Sequence, residues 1–119
     1  MKNASLAARM GYAWAGIRIV FRREKSFRTQ GLIALVQIAV TAAIRPGFAW
    51  AALIALCIAL VLTLEMVNAA LEYLIDRLHP EIHEEIGRAK DAAAGAVLLA
   101  SIAAACVGAL MILDWWLQW

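Results

Sequence analysis

The chain has 119 residues, of which 65% are hydrophobic, a mean hydropathy of +0.77 and a formal net charge of +2. That apolar excess over an ordinary soluble domain cannot be hidden in one small core, so much of it must face lipid. The length suits a single domain, residues 1–119, and so apolar a composition disfavours a nucleic-acid module.

The N-terminal segment comes first and is basic. Lys2, Arg9, Arg18, Arg22, Arg23, Lys25 and Arg28 precede the first apolar run, opposed there only by Glu24, while every other acid lies at or beyond Glu65. Such a segment beside a membrane span attracts anionic headgroups. Leu6, Met10, Trp14, Ile17 and Phe21 are spaced by four, four, three and four, which confines them to an arc of roughly 80° on a helix. The basic residues Arg18, Arg22 and Arg23 lie outside that arc. The pattern predicts an amphipathic helix over about residues 4–24, lying on the membrane surface. Charges scattered through the first 30 residues leave no continuous apolar core for a cleavable signal peptide.

Three spans follow, at about 27–44, 48–70 and 92–113. The first ends at Arg45-Pro46-Gly47, a turn signal; its extension through Phe27 carries Arg28, which is expected to snorkel. The second begins at Phe48, runs uncharged to Glu65, and continues in helical pattern to Asp76. The third, Ala92 to Leu113, is uncharged and about 33 Å long as a helix. It ends at Asp114, followed by an expected interfacial belt of Trp115, Trp116 and Trp119. The fold class is therefore an all-α membrane protein, with three transmembrane helices and an N-terminal surface helix. The basic excess places the N-terminus and the loop from about Tyr73 to Asp91 in the cytosol, and the Arg45 turn outside. Cys57 and Cys106 sit inside apolar runs and are expected to be packed or lipid-facing thiols.

The unusual chemistry lies at the end of the second span. Glu65, Asn68, Glu72 and Asp76, spaced by three, four and four, share an arc of roughly 80°. Acids near a hydrocarbon core cost several kcal/mol unless paired or wetted, and so mark function. Carboxylates on one stripe suit Mg²⁺, whose shell is completed by water or phosphate; the blander alternative is a solvated acidic helix end pairing with Arg77 and Arg88. In the loop RLHPEIHEEIGRAKD, Pro80 suits the first turn of a short helix. His79 and His83 read as plain loop histidines, and Arg88 and Lys90 suit either phosphate oxygens or membrane anchoring. There is no Walker A loop and no GxGxxG.

The stretch ExxNAALExxxD (Glu65–Asp76), followed by GRAKD (Gly87–Asp91), resembles the bacterial integral-membrane diacylglycerol kinase and undecaprenol kinase family. GYAWAGIR (Gly11–Arg18) and EKSFR (Glu24–Arg28) fit its N-terminal part in the right order. The resemblance implies a homotrimer in the bacterial inner membrane that transfers the γ-phosphate of ATP to a lipid hydroxyl, with active sites shared between neighbouring subunits. It implies Glu65 as general base and Asn68 as a positioning group. Glu24 and Glu72 would be ligands of a divalent ion, Mg²⁺. Tyr12, Asp76, His83, Arg88, Lys90 and Asp91 would form the nucleotide side. Gln30 stands where the diacylglycerol branch often has a glutamate, and Ala13 and Ala94 stand where polar residues can occur. The loop EIHEEIGRAKD looks like the diacylglycerol branch and AKDAAAGAVLL like the undecaprenol branch. Diacylglycerol is the expected acceptor and undecaprenol the alternative. A reading of another class, a small proton-coupled transporter using Glu65, is opposed by the clustering of the acids at one helix end and by the lack of an inverted repeat.

Overall fold

The computed structural model describes residues 2–118, which form four helices: α1 (Leu6–Arg23), α2 (Lys25–Ile44), α3 (Phe48–Leu78) and α4 (Glu84–Leu117). Among the described residues there is no strand. Helices α2, α3 and α4 are long and apolar enough to cross a membrane.

Helix α1 starts where the Ser5 hydroxyl accepts the Ala8 N–H at 3.2 Å, satisfying one of the orphan donors of a helix N-terminus. Of its residues only Val20 is buried; Leu6, Met10, Trp14, Ile17 and Phe21 are all exposed. The amphipathic stripe is thus left outside the protein core, as a lipid-facing helix requires. Glu24 breaks the helix with an extended backbone (φ −107°, ψ 107°), and α2 starts at the next residue. The Arg28 Nη1 donates to the carbonyls of Phe21 (2.7 Å) and Arg22 (2.9 Å). The physical reason is that the last carbonyls of α1 have no intrahelical donor, and a guanidinium one turn into α2 reaches them.

The turn between α2 and α3 forms as its residues predict. Arg45 takes a left-handed conformation (φ 53°) and Gly47 a φ of 105°, open to glycine and strained for other residues. At 1.5 Å per residue α3 is about 46 Å long, so it outruns a hydrocarbon core of about 30 Å. Glu65 stands about 26 Å along it from Phe48, near the far edge of that core, and Asp76 about 42 Å along, beyond it. The expected loop shrinks to His79–His83, because α3 continues to Leu78 and α4 begins at Glu84. Pro80 therefore opens no short helix; His83 caps α4 instead, its Nδ1 accepting the Glu85 N–H at 3.1 Å.

The packing is layered. Val20, Phe27 and Ala69 are buried together where α1, α2 and α3 meet, flanked by Leu62, Met66 and Tyr73. Further along, Val61 packs with Ala100 and Ala104, flanked by Cys57 and Leu64; small residues let α3 and α4 approach closely, and theirs is the most extensive interface. Cys57 is packed, Cys106 is exposed, and both thiols are free. Gln30, one of the departures, donates to the Ser101 hydroxyl at 3.2 Å and so joins α2 to α4. At the Arg45 end, the Trp50 indole N–H donates to Asp114 at 2.9 Å and the Gln118 amide to the same oxygen at 3.3 Å. Trp115 and Trp116 stack obliquely beside them, with ring centroids 6.4 Å apart; Trp119 lies outside the described residues.

Candidate functional site

The polar stripe of α3 divides by depth. Glu65 is only 5% exposed, the one buried charged side chain among the described residues. Its Oε2 accepts a hydrogen bond of 3.0 Å from the Ser26 hydroxyl in the first turn of α2. The break at Glu24 makes this possible. It turns the chain so that Ser26 meets Glu65 while the next residue, Phe27, packs on Ala69 one turn further along α3.

Asn68 lies partly buried between these layers, and its amide oxygen is buried without a hydrogen-bond partner. The Tyr73 hydroxyl is a second such orphan. The Arg23 guanidinium lies over the Tyr73 ring, 5.4 Å from its centroid, and ties the end of α1 to α3. Glu24 and Glu72 both act on this hydroxyl through their charge. Two carboxylates 48 positions apart in sequence thus bear on one buried hydroxyl. Unsatisfied buried polar atoms are rare and costly, which sets Asn68 and Tyr73 apart among the described polar groups.

Among the described residues no three carboxylate, imidazole or thiol groups cluster tightly enough to hold a metal unaided. Glu24 and Glu72, whose charges both act on Tyr73, match in donor type what Mg²⁺ takes in its usual setting, where one or two protein carboxylates share the ion with substrate phosphates and water. The same donor set does not suit a resident metal enclosed by protein ligands alone.

Further out, Lys90 Nζ donates to Asp76 at 2.6 Å, joining the end of α3 to the start of α4, and Glu72 adds its charge to the same lysine. Lys90 and Asp76 therefore stand on the stripe. The other expected nucleotide-side residues do not. Arg88 is held by Glu84 (2.7 Å) and by Glu85 on its own helix, all three side chains exposed. His83 is used as the cap of α4 and meets His79 edge-on, with ring centroids 5.9 Å apart. Tyr12, half-exposed on α1, and Asp91, exposed on α4, make no described hydrogen bond or ion pair. Of the partners the blander alternative names, Arg88 pairs within its own turn, and among the described residues no ion pair joins Arg77 to the stripe; Lys90 is the cation that meets it.

Ser26 and Tyr73 were not among the residues singled out from sequence. EKSFR contains Ser26, and NAALEY runs into Tyr73, but neither residue has a spacing that distinguishes it until the helices are packed.

Residues 11–112 match the profile of the family described as prokaryotic diacylglycerol kinase. The chain is 32% identical over 102 residues to a diacylglycerol kinase of Escherichia coli K12, covering 86% of this chain and 84% of that one. It is 38% identical over 103 residues to a diacylglycerol kinase of Synechocystis, covering 86% and 59% respectively. A diacylglycerol kinase of Haemophilus influenzae is 33% identical over 89 residues, 75% of each chain.

Proposed function

The chain belongs to the prokaryotic diacylglycerol kinase family and is a lipid kinase; on that premise we propose that it transfers the γ-phosphate of MgATP to the hydroxyl of diacylglycerol, giving phosphatidic acid. The observation that carries the reading is Glu65. It is a buried carboxylate near the edge of the hydrocarbon depth, hydrogen-bonded through one oxygen, and Asn68, Glu72 and Asp76 continue outward from it on the same face.

In the step, the acceptor oxygen bonds to the γ-phosphorus as the bond from that phosphorus to the β,γ-bridging oxygen breaks. ADP leaves with the bridging oxygen, and the acceptor proton passes to Glu65 as general base. Asn68 orients the acceptor hydroxyl through its open amide oxygen. Glu24 and Glu72 hold Mg²⁺, which supplies neutralisation of the phosphate charge when bound. Lys90 exchanges Asp76 for a phosphate oxygen, Asp76 contacts the nucleotide, and Asp91 receives the adenosine. Tyr12, His83 and Arg88 line the nucleotide side.

Tyr12, Arg88 and Asp91 stand apart from the stripe within one chain, and only 11–17% of each span's most apolar window is buried. Both observations support assembly as a homotrimer in which a neighbouring subunit completes each site. The basic N-terminal segment supports a cytosolic N-terminus in the bacterial inner membrane.

The test is a transfer assay on purified protein, with γ-labelled MgATP and a panel of lipid alcohols including diacylglycerol and undecaprenol. Label is expected in phosphatidic acid. Preferential labelling of undecaprenol would overturn the acceptor, and no labelled lipid at all would overturn the transfer.

A further inference from the structure

We propose that Ser26 is a positioning residue for the transfer step, holding the Glu65 carboxylate so that one oxygen is occupied and the other takes the acceptor proton. This rests on the reading of Glu65 as the base. Its ground is a hydrogen bond across two helices, Ser26 Oγ to Glu65 Oε2 at 3.0 Å, between residues 39 positions apart.

Three observations make the bond more than packing. Ser26 occupies the first turn of α2, where a serine hydroxyl ordinarily bonds the backbone of its own helix. Here the helix start has no side-chain cap, and the hydroxyl is directed at α3 instead. Glu65 is 5% exposed and Ser26 supplies its described hydrogen bond, so the serine offsets part of the cost of holding a carboxylate at that depth. The bond engages Oε2, which leaves Oε1 as the oxygen open to the acceptor. Ser26 itself remains exposed, so the pair sits at the rim of the helix bundle.

A hydroxyl that fixes a base lowers the barrier by removing alternative rotamers of the carboxylate, without touching either substrate. Its loss therefore falls on kcat and leaves substrate binding in place. The experiment compares Ser26→Ala, Ser26→Thr, Glu65→Gln and the double variant Ser26→Ala/Glu65→Gln as full-length protein, with MgATP and a short-chain diacylglycerol in mixed micelles. Ser26→Ala is expected to lower kcat about tenfold, the scale of one hydrogen bond to a charged group, with both KM values within about twofold of wild type. Ser26→Thr, which keeps the hydroxyl, should restore most of kcat. In the Glu65→Gln background, Ser26→Ala should cost nothing further, because two residues acting through one group are not additive.

Wild-type kcat in Ser26→Ala, failure of threonine to rescue, or multiplying losses in the double variant would overturn the positioning role. So would loss of MgATP binding by Ser26→Ala in titration calorimetry, which would reveal a structural defect. Full activity in Glu65→Gln alone would instead overturn the base assignment, so the two failures are distinguishable.

Discussion

The two ends of the helix bundle both carry a carboxylate near the membrane boundary, and they treat it in opposite ways. At the Arg45 end, Asp114 accepts from the Trp50 indole and the Gln118 amide at one oxygen, and the Trp115–Trp116 pair follows it on the same helix. At the other end, Glu65 has one serine hydroxyl, while the Asn68 amide oxygen and the Tyr73 hydroxyl are buried with no partner. Evolution toward stability alone would close both ends, since each orphaned polar atom costs on the order of 1–3 kcal/mol. The difference teaches that polar residues in these helices serve two purposes. Where the donors and acceptors are matched within the chain, the group clamps helices; where they are left open, it does not, and the proposed transfer site lies at that end.

The largest effect that would break this comparison is on turnover. Glu65→Gln should lower kcat by about 10³-fold, within the usual range for losing a general base, whereas Asp114→Asn should leave kcat within about twofold. Equal losses at the two ends, in the same transfer assay, would erase the distinction. Next in size, Glu24→Gln and Glu72→Gln should each raise the Mg²⁺ concentration needed for half-maximal rate by about tenfold, the scale of losing one ligand from a shared ion. A magnesium titration of initial rates checks this, and an unchanged requirement in both variants would remove the metal role. Smaller still are two opposed effects on stability. Trp50→Phe should destabilise by about 1 kcal/mol, because it deletes an interhelical hydrogen bond while keeping an aromatic ring. Asn68→Leu should be neutral or stabilise by about 1 kcal/mol while depressing kcat, since it removes an unsatisfied buried oxygen. Unfolding of the purified variants in mixed micelles, read beside their activity, separates the two signs.

Much of the architecture was legible because hydropathy and helical period act locally. The three spans follow from runs of uncharged residues, and the Arg45-Pro46-Gly47 turn from residues whose backbones tolerate or impose it. The stripe Glu65–Asn68–Glu72–Asp76 was legible for the same reason: residues three and four apart share a helix face whatever the rest of the chain does. Local reading says less where a residue has several available partners. Arg28, read as a residue of the lipid boundary, satisfies the carbonyls of Phe21 and Arg22. Pro80 was expected to open a helix, and His83 takes over the start of α4. Arg88, suited by sequence to phosphate oxygens or to membrane anchoring, pairs with Glu84 and Glu85 on its own helix.

The sequence by itself determined the membrane class, the number of spans, the amphipathic first helix and the stripe of acids at one end of the second span. Each depends on contacts within about one helical turn or on the transfer of apolar residues into lipid. Only the tertiary structure decided which distant groups converge on that stripe. It joined Ser26 to Glu65, set Glu24 beside Tyr73 with Glu72, paired Lys90 with Asp76, and closed the opposite end through Trp50 and Asp114. These pairs depend on the direction in which one helix leaves another, here on the break at Glu24 and the turn at Gly47, and that direction is settled by packing between faces far apart in the chain.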